Sequence, residues 1–237
     1  PKLACVGFHP THLPEGRGRA PVAWLAYESR NGAATFFVME AGADSGAILA
    51  QELFLISAQD YASDVTNKME LAIDRALDDW LPRMVVGEWV PISQDHAQAT
   101  FYGRRAPADG LISWEKPATE IQALVRASSR PHPGAYTYAR HHKLLVWRAE
   151  LETELVYRGV IGRVLEEDDE KGYLVQTGEG LLWLSDLEFE NPAGDEIDPL
   201  RVGMKLGYTP QDEIYRLRGR IAGLEERLSK LEAKEDK

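Results

Sequence analysis

The chain of 237 residues has one cysteine, Cys5, so no internal disulfide can staple it. That usage suits a reducing compartment, and a cytoplasmic location is the expectation. No run of about eighteen apolar residues occurs, which excludes an ordinary membrane-spanning helix. The first residues lack the basic-then-apolar pattern of an export leader. Cysteine and histidine never fall at metal-ligand spacing, so no metal is expected, and His141-His142 reads as an exposed turn. Positive charge is scarce: 27 basic residues stand against 38 acidic ones, a net charge of −11. That balance disfavours broad binding to a phosphate backbone, which relies on basic patches. Much of the acid lies in Glu166–Glu170 and in the tail, as expected of solvated surface.

What remains is an ordinary globular composition, 44% hydrophobic and 27% charged, long enough for one large or two small domains. The chemistry concentrates between Cys5 and Gln51. Leu3 to Phe8 reads as a short buried strand that delivers His9 at its end. Pro10 and Pro14 shape the following turn, and Gly16 and Gly18 loosen it. Ala20 to Glu28 reads as a helix with Pro21 in its first turn, and Ala34 to Met39 as a second strand. Gly42-Ala43-Asp44-Ser45-Gly46 follows, where glycines let a ligand approach the backbone. A His and an Asp on loops after two strands make a usable acid–base pair, since open α/β sheets place chemistry at the carboxyl ends of their strands.

Further along, Gln51 to Ile56 is expected to be a strand. Val65, Met69, Ala72, Ile73, Ala76, Leu77 and Trp80 then form one apolar helical face, in a helix running to about Val86 and closed by Gly87. Trp89 to Gln98 reads as a connecting strand or loop. Phe101 to Gly110 carries the Pro, Asp and Gly of a domain boundary. Its Arg104 and Arg105, with Arg17 and Arg19 upstream, are candidates to hold an acceptor phosphate; the alternative is pairing with surface carboxylates. A helix over 117–128 precedes a change of period to two. Strands are expected over 135–139, 144–151, 159–165, 172–177 and 181–189, enough for a small barrel. Tyr136, Tyr138, Trp147, Tyr173 and Trp183 are expected in its core. Finally Ile214, Leu217, Ile221, Leu224, Leu228 and Leu231 step by three and four as a heptad seam of about three heptads, flanked by Glu225, Glu226, Lys230 and Glu232. Self-association through this helix, as a homodimer, is the expectation.

The motifs HPTHLP, RGRAP and AGADSGAILAQ resemble those of the folate-dependent formyltransferases, the group that includes methionyl-tRNA formyltransferase and the amino-sugar N-formyltransferases. The likeness extends over nearly the whole chain. It implies an α/β fold: the second half of a Rossmann-like catalytic domain over 1–103, a linker over 104–116, an OB-like barrel over 117–200 and a helical coiled-coil tail over 201–237. It also implies formyl transfer from 10-formyltetrahydrofolate to a primary amine. His9 matches the histidine that moves the proton, and Asp44 the aspartate that orients it. Gly42, Ala43 and Asp44 would then meet the folate, and Thr11, Arg17, Arg19, Arg104 and Arg105 the acceptor.

One position departs from the pattern. The family carries an asparagine two residues before the histidine, where its amide helps hold the oxyanion; here that residue is Gly7. A backbone N–H, Thr11, His12 or a water would have to substitute. The Arg104-Arg105 and Trp114-to-Ala118 segments are closer to the amino-sugar enzymes, so an amine on a sugar nucleotide or similar small metabolite is the expected acceptor. Initiator methionyl-tRNA is the alternative. A non-catalytic binding or assembly module is the alternative of another class, motivated by Gly7 and the tail.

Overall fold

The computed structural model describes residues 5–191, 194, 197–207 and 210–235, with the backbone alone at 212 and 231–235. The first strand, β1, spans Val6–His9, so His9 is its last residue. A two-residue strand β2 (Arg17–Gly18) follows, then helix α1 (Pro21–Glu28), β3 (Gly32–Val38) and β4 (Ile48–Phe54). The order in the sheet is β1-β3-β4, and both pairings are antiparallel. The expectation of a Rossmann-like arrangement is corrected at this point. Phe37 pairs with Ile48, so a hairpin loop joins β3 to β4, and a hairpin makes its strands antiparallel. Asp44 therefore reaches His9 through that loop and not from the end of a neighbouring parallel strand.

Helix α2 spans Ala62–Val85 and begins at a capping box, where the Asp64 carboxylate accepts from the Tyr61 N–H at 2.9 Å. Its apolar face carries Val65, Ala72 and Ala76 into the first core, beside Leu25, Ala34, Phe54 and Ile56, and buries Trp80 further along. Trp80 stacks on Phe36 with ring centroids 5.7 Å apart. Gly87 ends the helix at φ +80°, its N–H bonded to Met84 O. Short strand β5 (Phe101–Tyr102) then returns to pair in parallel with β2.

Helix α3 (Ala118–Ser128) contributes to both cores: Ile121 and Val125 to the second, Ala127 to the first. Arg126 fastens it. Its guanidinium, on a residue 4% exposed, donates to Ala26 O and Asp60 O at 2.9 Å each and to Ser29 Oγ at 3.1 Å. Ile112 and Trp114, in the expected linker, are buried in the second core, and Trp114 Nε1 donates to Thr137 Oγ1 at 2.9 Å.

The five expected strands are present as β6 (Ala135–Ala139), β7 (His142–Glu152), β8 (Val164–Asp168), β9 (Gly172–Gln176) and β10 (Leu181–Glu190). They form an antiparallel sheet ordered β6-β7-β10-β9-β8, in which the outer strands β6 and β8 do not pair. A closed OB-like barrel is thus not what the ladder describes; Leu206 bridges to Ala139 and Lys205 to Arg163, so one short segment touches both edges. β8 starts five residues later than expected because the Arg163 N–H turns back onto Val160 O and Gly162 sits at φ +80°. Trp147 and Trp183 are buried, while Tyr136, Tyr138 and Tyr173 are half-buried. Of the expected exposed turn at His141-His142, His141 is exposed in the β6–β7 turn, whereas His142 is half-buried and opens β7, where it pairs with Ala139. The last helix, α4, spans Pro210–Glu235. No described helix is long and apolar enough to cross a membrane.

Candidate active site

His9 and Asp44 come together. His9 is 5% exposed, and its Nδ1 lies 3.5 Å from Asp44 Oδ2. Its other nitrogen, Nε2, is 2.8 Å from Gly16 O. A carbonyl only accepts, so Nε2 carries a proton in this arrangement. Nδ1 is then the nitrogen that faces the Asp44 carboxylate.

Three elements position Asp44. Its carboxylate accepts the Gly18 N–H at 2.8 Å. Its backbone adopts φ +49°, a left-handed conformation that aspartate tolerates better than most residues. Its carbonyl accepts from Gln94 Nε2 at 2.9 Å, and the same amide donates to Gly46 O at 2.6 Å. Gly46 has to be glycine, because a Cβ there would sit 1.7 Å from Val38 O. Gly18 is equally constrained: φ +109°, with a Cβ 2.5 Å from Tyr102 O. That close approach is the β2–β5 pairing, in which the Arg17 N–H donates to Thr100 O and the Arg19 N–H to Tyr102 O. Trp24 stacks on Tyr102 at 5.7 Å and donates from Nε1 to Gly103 O at 2.8 Å, which ties α1 to the same segment. Burial, and then the Glu28 carboxylate that accepts its hydroxyl at 2.6 Å, push the Tyr102 phenol up to about 12.

Two expected acceptor contacts are corrected. Arg17 is 4% exposed, and its guanidinium donates to Gln94 Oε1 at 3.2 and 2.6 Å and lies 3.1 Å from His96 Nδ1. It is spent on holding Gln94, and through Gln94 the Asp44 loop. Thr11 is 3% exposed, and its hydroxyl donates to Glu15 O at 2.7 Å, which closes the turn after His9. Gln94 and His96 were missed by sequence reasoning. Their partners lie 48 to 79 residues away, and nothing local in 89–98 marks them.

Gly7 shows why no amide stands before His9. Residues 7 and 9 share one face of β1. A Cβ at position 7 would lie 2.7 Å from the Phe37 ring and 3.1 Å from Met39 Cγ, so packing takes the space of a side chain. Gly42 and Ala43 are exposed on the loop, where Ser45 Oγ donates to Gly42 O at 3.0 Å. His12 is exposed in the turn after β1.

Arg19 and Arg104 are exposed and Arg105 is half-buried. Among the described residues none of the three forms an ion pair. Arg105 packs its guanidinium 5.4 Å from the Trp24 ring and 5.7 Å from that of Tyr27, and donates from Nη2 to Ser128 Oγ at 3.2 Å. Its Nη1 is buried without a partner, as is Nε2 of His132. Both residues line a pocket of about 140 Å³ with Ala20, Ala23, Ala127 and Pro133. Burial, and then the Arg105 charge, lower the His132 pKa, so His132 is neutral at pH 7.

Fold and site together define an α/β unit that sets a buried His–Asp pair in backbone cradles, joined to an antiparallel β domain. Residues 105–194 match the family model described as formyl transferase, C-terminal domain. The chain is also similar to solved formyltransferase structures. HypX from Aquifex aeolicus in complex with tetrahydrofolic acid aligns with a TM-score of 0.64 at 19% identity, over 86% of this chain and 38% of that one. An N-formyltransferase from Helicobacter canadensis, in complex with folinic acid and dTDP-3-aminofucose, gives 0.60 at 17% identity, over 77% and 66%. Methionyl-tRNA formyltransferase from Clostridium thermocellum gives 0.52 at 24% identity, over 63% and 64%. These likenesses show a formyltransferase fold. The chain spans about a third of the HypX length and less than two thirds of the tRNA enzyme's.

Proposed function

We propose that the chain transfers a formyl group from 10-formyltetrahydrofolate to a primary amine, with an amino-sugar nucleotide or a similar small anionic metabolite as acceptor. The observation that carries this reading is the His9–Asp44 pair, assembled at 3.5 Å from the end of β1 and the β3–β4 loop and held by the Gly18 N–H and by Gln94. The amine nitrogen bonds to the formyl carbon, the carbonyl electrons move to oxygen, and the oxyanion collapses as the bond to folate N10 breaks. The amine gives up one proton and N10 gains one. His9, neutral at the outset, takes that proton on Nδ1 and returns it to N10, and Asp44 stabilises the ring while it is charged. In place of an amide at position 7, the ring supports the oxyanion for as long as it holds the proton.

Three arginines without carboxylate partners, one of them backed by aromatic rings and carrying a buried unpartnered Nη1, support an acceptor that bears phosphate. The net charge of −11 favours a compact anion over a tRNA. The test is calorimetry with 5-formyltetrahydrofolate. Saturable binding that Asp44→Ala removes is expected. Absence of binding to the wild-type protein would overturn the folate reading and leave a non-catalytic binding module as the function.

A further inference from the structure

We infer that α4 is one strand of a parallel, in-register coiled coil formed with a second copy of this chain. The seam residues Ile214, Leu217, Ile221, Leu224 and Leu228 are 51, 42, 54, 53 and 57% exposed, although together they make one continuous apolar stripe. Every other residue of α4 whose side chain is described is exposed too, except Glu213, so the stripe is not covered by the rest of the chain. The helix does not stand on propensity alone. Gly219 and Gly223 lie in its interior, each costing about 1 kcal/mol relative to alanine, and an isolated helix of this length is marginal in water.

The heptad register identifies the partner. With Ile214, Ile221 and Leu228 at position a, and Leu217, Leu224 and Leu231 at d, two of the three a positions are β-branched and every d position is leucine, the preference of two-stranded parallel coils. Positions g are Glu213, Arg220 and Arg227; positions e are Arg218, Glu225 and Glu232. In a parallel dimer each g residue faces the next e residue of the other helix. The three pairings are Glu213 with Arg218, Arg220 with Glu225, and Arg227 with Glu232. All three are opposite in sign, and symmetry doubles each. An antiparallel pair overlapping the same seam would instead set Arg220 against Arg227 twice along its g–g side, leaving attraction only where Arg218 meets Glu225 on the e–e side.

The ion pairs already made within the helix sharpen the point. Lys230 bonds to Glu226 at 2.5 Å, and both lie at outward positions. Arg216 bonds to Glu213 at 2.6 Å. Among the described residues Arg218, Arg220, Glu225 and Arg227 have no ion-pair partner, and these are positions that flank the seam.

Sedimentation equilibrium of the full chain tests the proposal. The expected mass is twice 26.5 kDa, falling to the monomer on dilution. Arg220→Glu with Arg227→Glu makes two of the pairings repulsive and is expected to weaken dimerisation at least about tenfold. Glu225→Arg with Glu232→Arg does the same, and mixing the two variants restores the dimer. Orientation is read in a Cys5→Ser background with Ile214→Cys, where mild oxidation joins the chains only if the two copies of position 214 face each other. These substitutions fall on exposed positions, apart from the side chain of 232, which is not described; thermal unfolding of the folded cores monitors that the variants still fold. A monomer at every concentration, a dimer indifferent to the charge reversals, or no cross-link at position 214 would each overturn it.

Discussion

Replacing Gln94 separates the part of the site that holds the fold from the part that holds the reactive pair. Its amide oxygen accepts from the buried Arg17 guanidinium at 3.2 and 2.6 Å, and its amide nitrogen donates to Asp44 O and Gly46 O. Gln94→Leu leaves Arg17 with His96 alone and strands two carbonyl groups. A lost hydrogen bond to a charged group costs about 1.5–3 kcal/mol, and each of the two stranded acceptors about 1 more, so about 3.5–5 kcal/mol is expected. For a chain of this size that is a fall in Tm of about 7–20 °C. Gln94→Glu keeps an acceptor for Arg17, and charges it, while turning a carboxylate toward the two carbonyls. Its stability should stay within about 1 kcal/mol of the wild type, because a stronger bond to Arg17 offsets the lost donors. Formyl transfer should fall about a hundredfold, since a misplacement of about 1 Å at a reacting group is enough for that. Differential scanning calorimetry and a transfer assay read the two effects. Wild-type melting of Gln94→Leu, or wild-type turnover by Gln94→Glu, would refute the reasoning.

Two further outcomes are expected. Gly7→Asn, which restores the family's residue, should not restore an oxyanion donor; its Cβ meets the Phe37 ring at 2.7 Å, so about 1–3 kcal/mol of stability is lost and turnover does not rise, as urea unfolding and the transfer assay will show. The hydrogen bond from Trp183 Nε1, with the backbone N–H groups of Glu154 and Leu155, holds the Glu152 carboxyl down at about 2. A depressed carboxyl stabilises the fold above its unfolded pKa and loses that contribution as pH falls toward about 2. Trp183→Phe should therefore flatten the decline of stability between about pH 4 and pH 2, and identical acid profiles for the two proteins would count against this assignment.

Periodic features were legible in the sequence. The apolar stripe from Val65 to Trp80 marked α2, which ends at Val85 beside the expected Gly87 cap. Alternation marked β6, and the heptad marked α4. His9 and Asp44 were legible as residues on neighbouring loops, and the structure sets them 3.5 Å apart. What sequence reasoning missed lies in long-range pairing. The direction of the β1-β3-β4 sheet depends on which strands meet, and apolar runs carry no sign of direction. Arg17 read as a candidate to hold an acceptor phosphate because its partners Gln94 and His96 come from a segment without pattern. Arg126 sits on an otherwise amphipathic helix, and only the fold brings Ala26 O, Asp60 O and Ser29 to its guanidinium.

The central claim is that His9 and Asp44 are the reactive pair of a formyl transfer. The most direct measurement is release of tetrahydrofolate from 10-formyltetrahydrofolate in the presence of an amino-sugar nucleotide, for the wild type and for His9→Asn. The account predicts acceptor-dependent release that falls by at least about a hundredfold in the variant, with folate binding retained. Release that is equal in the two proteins would contradict it.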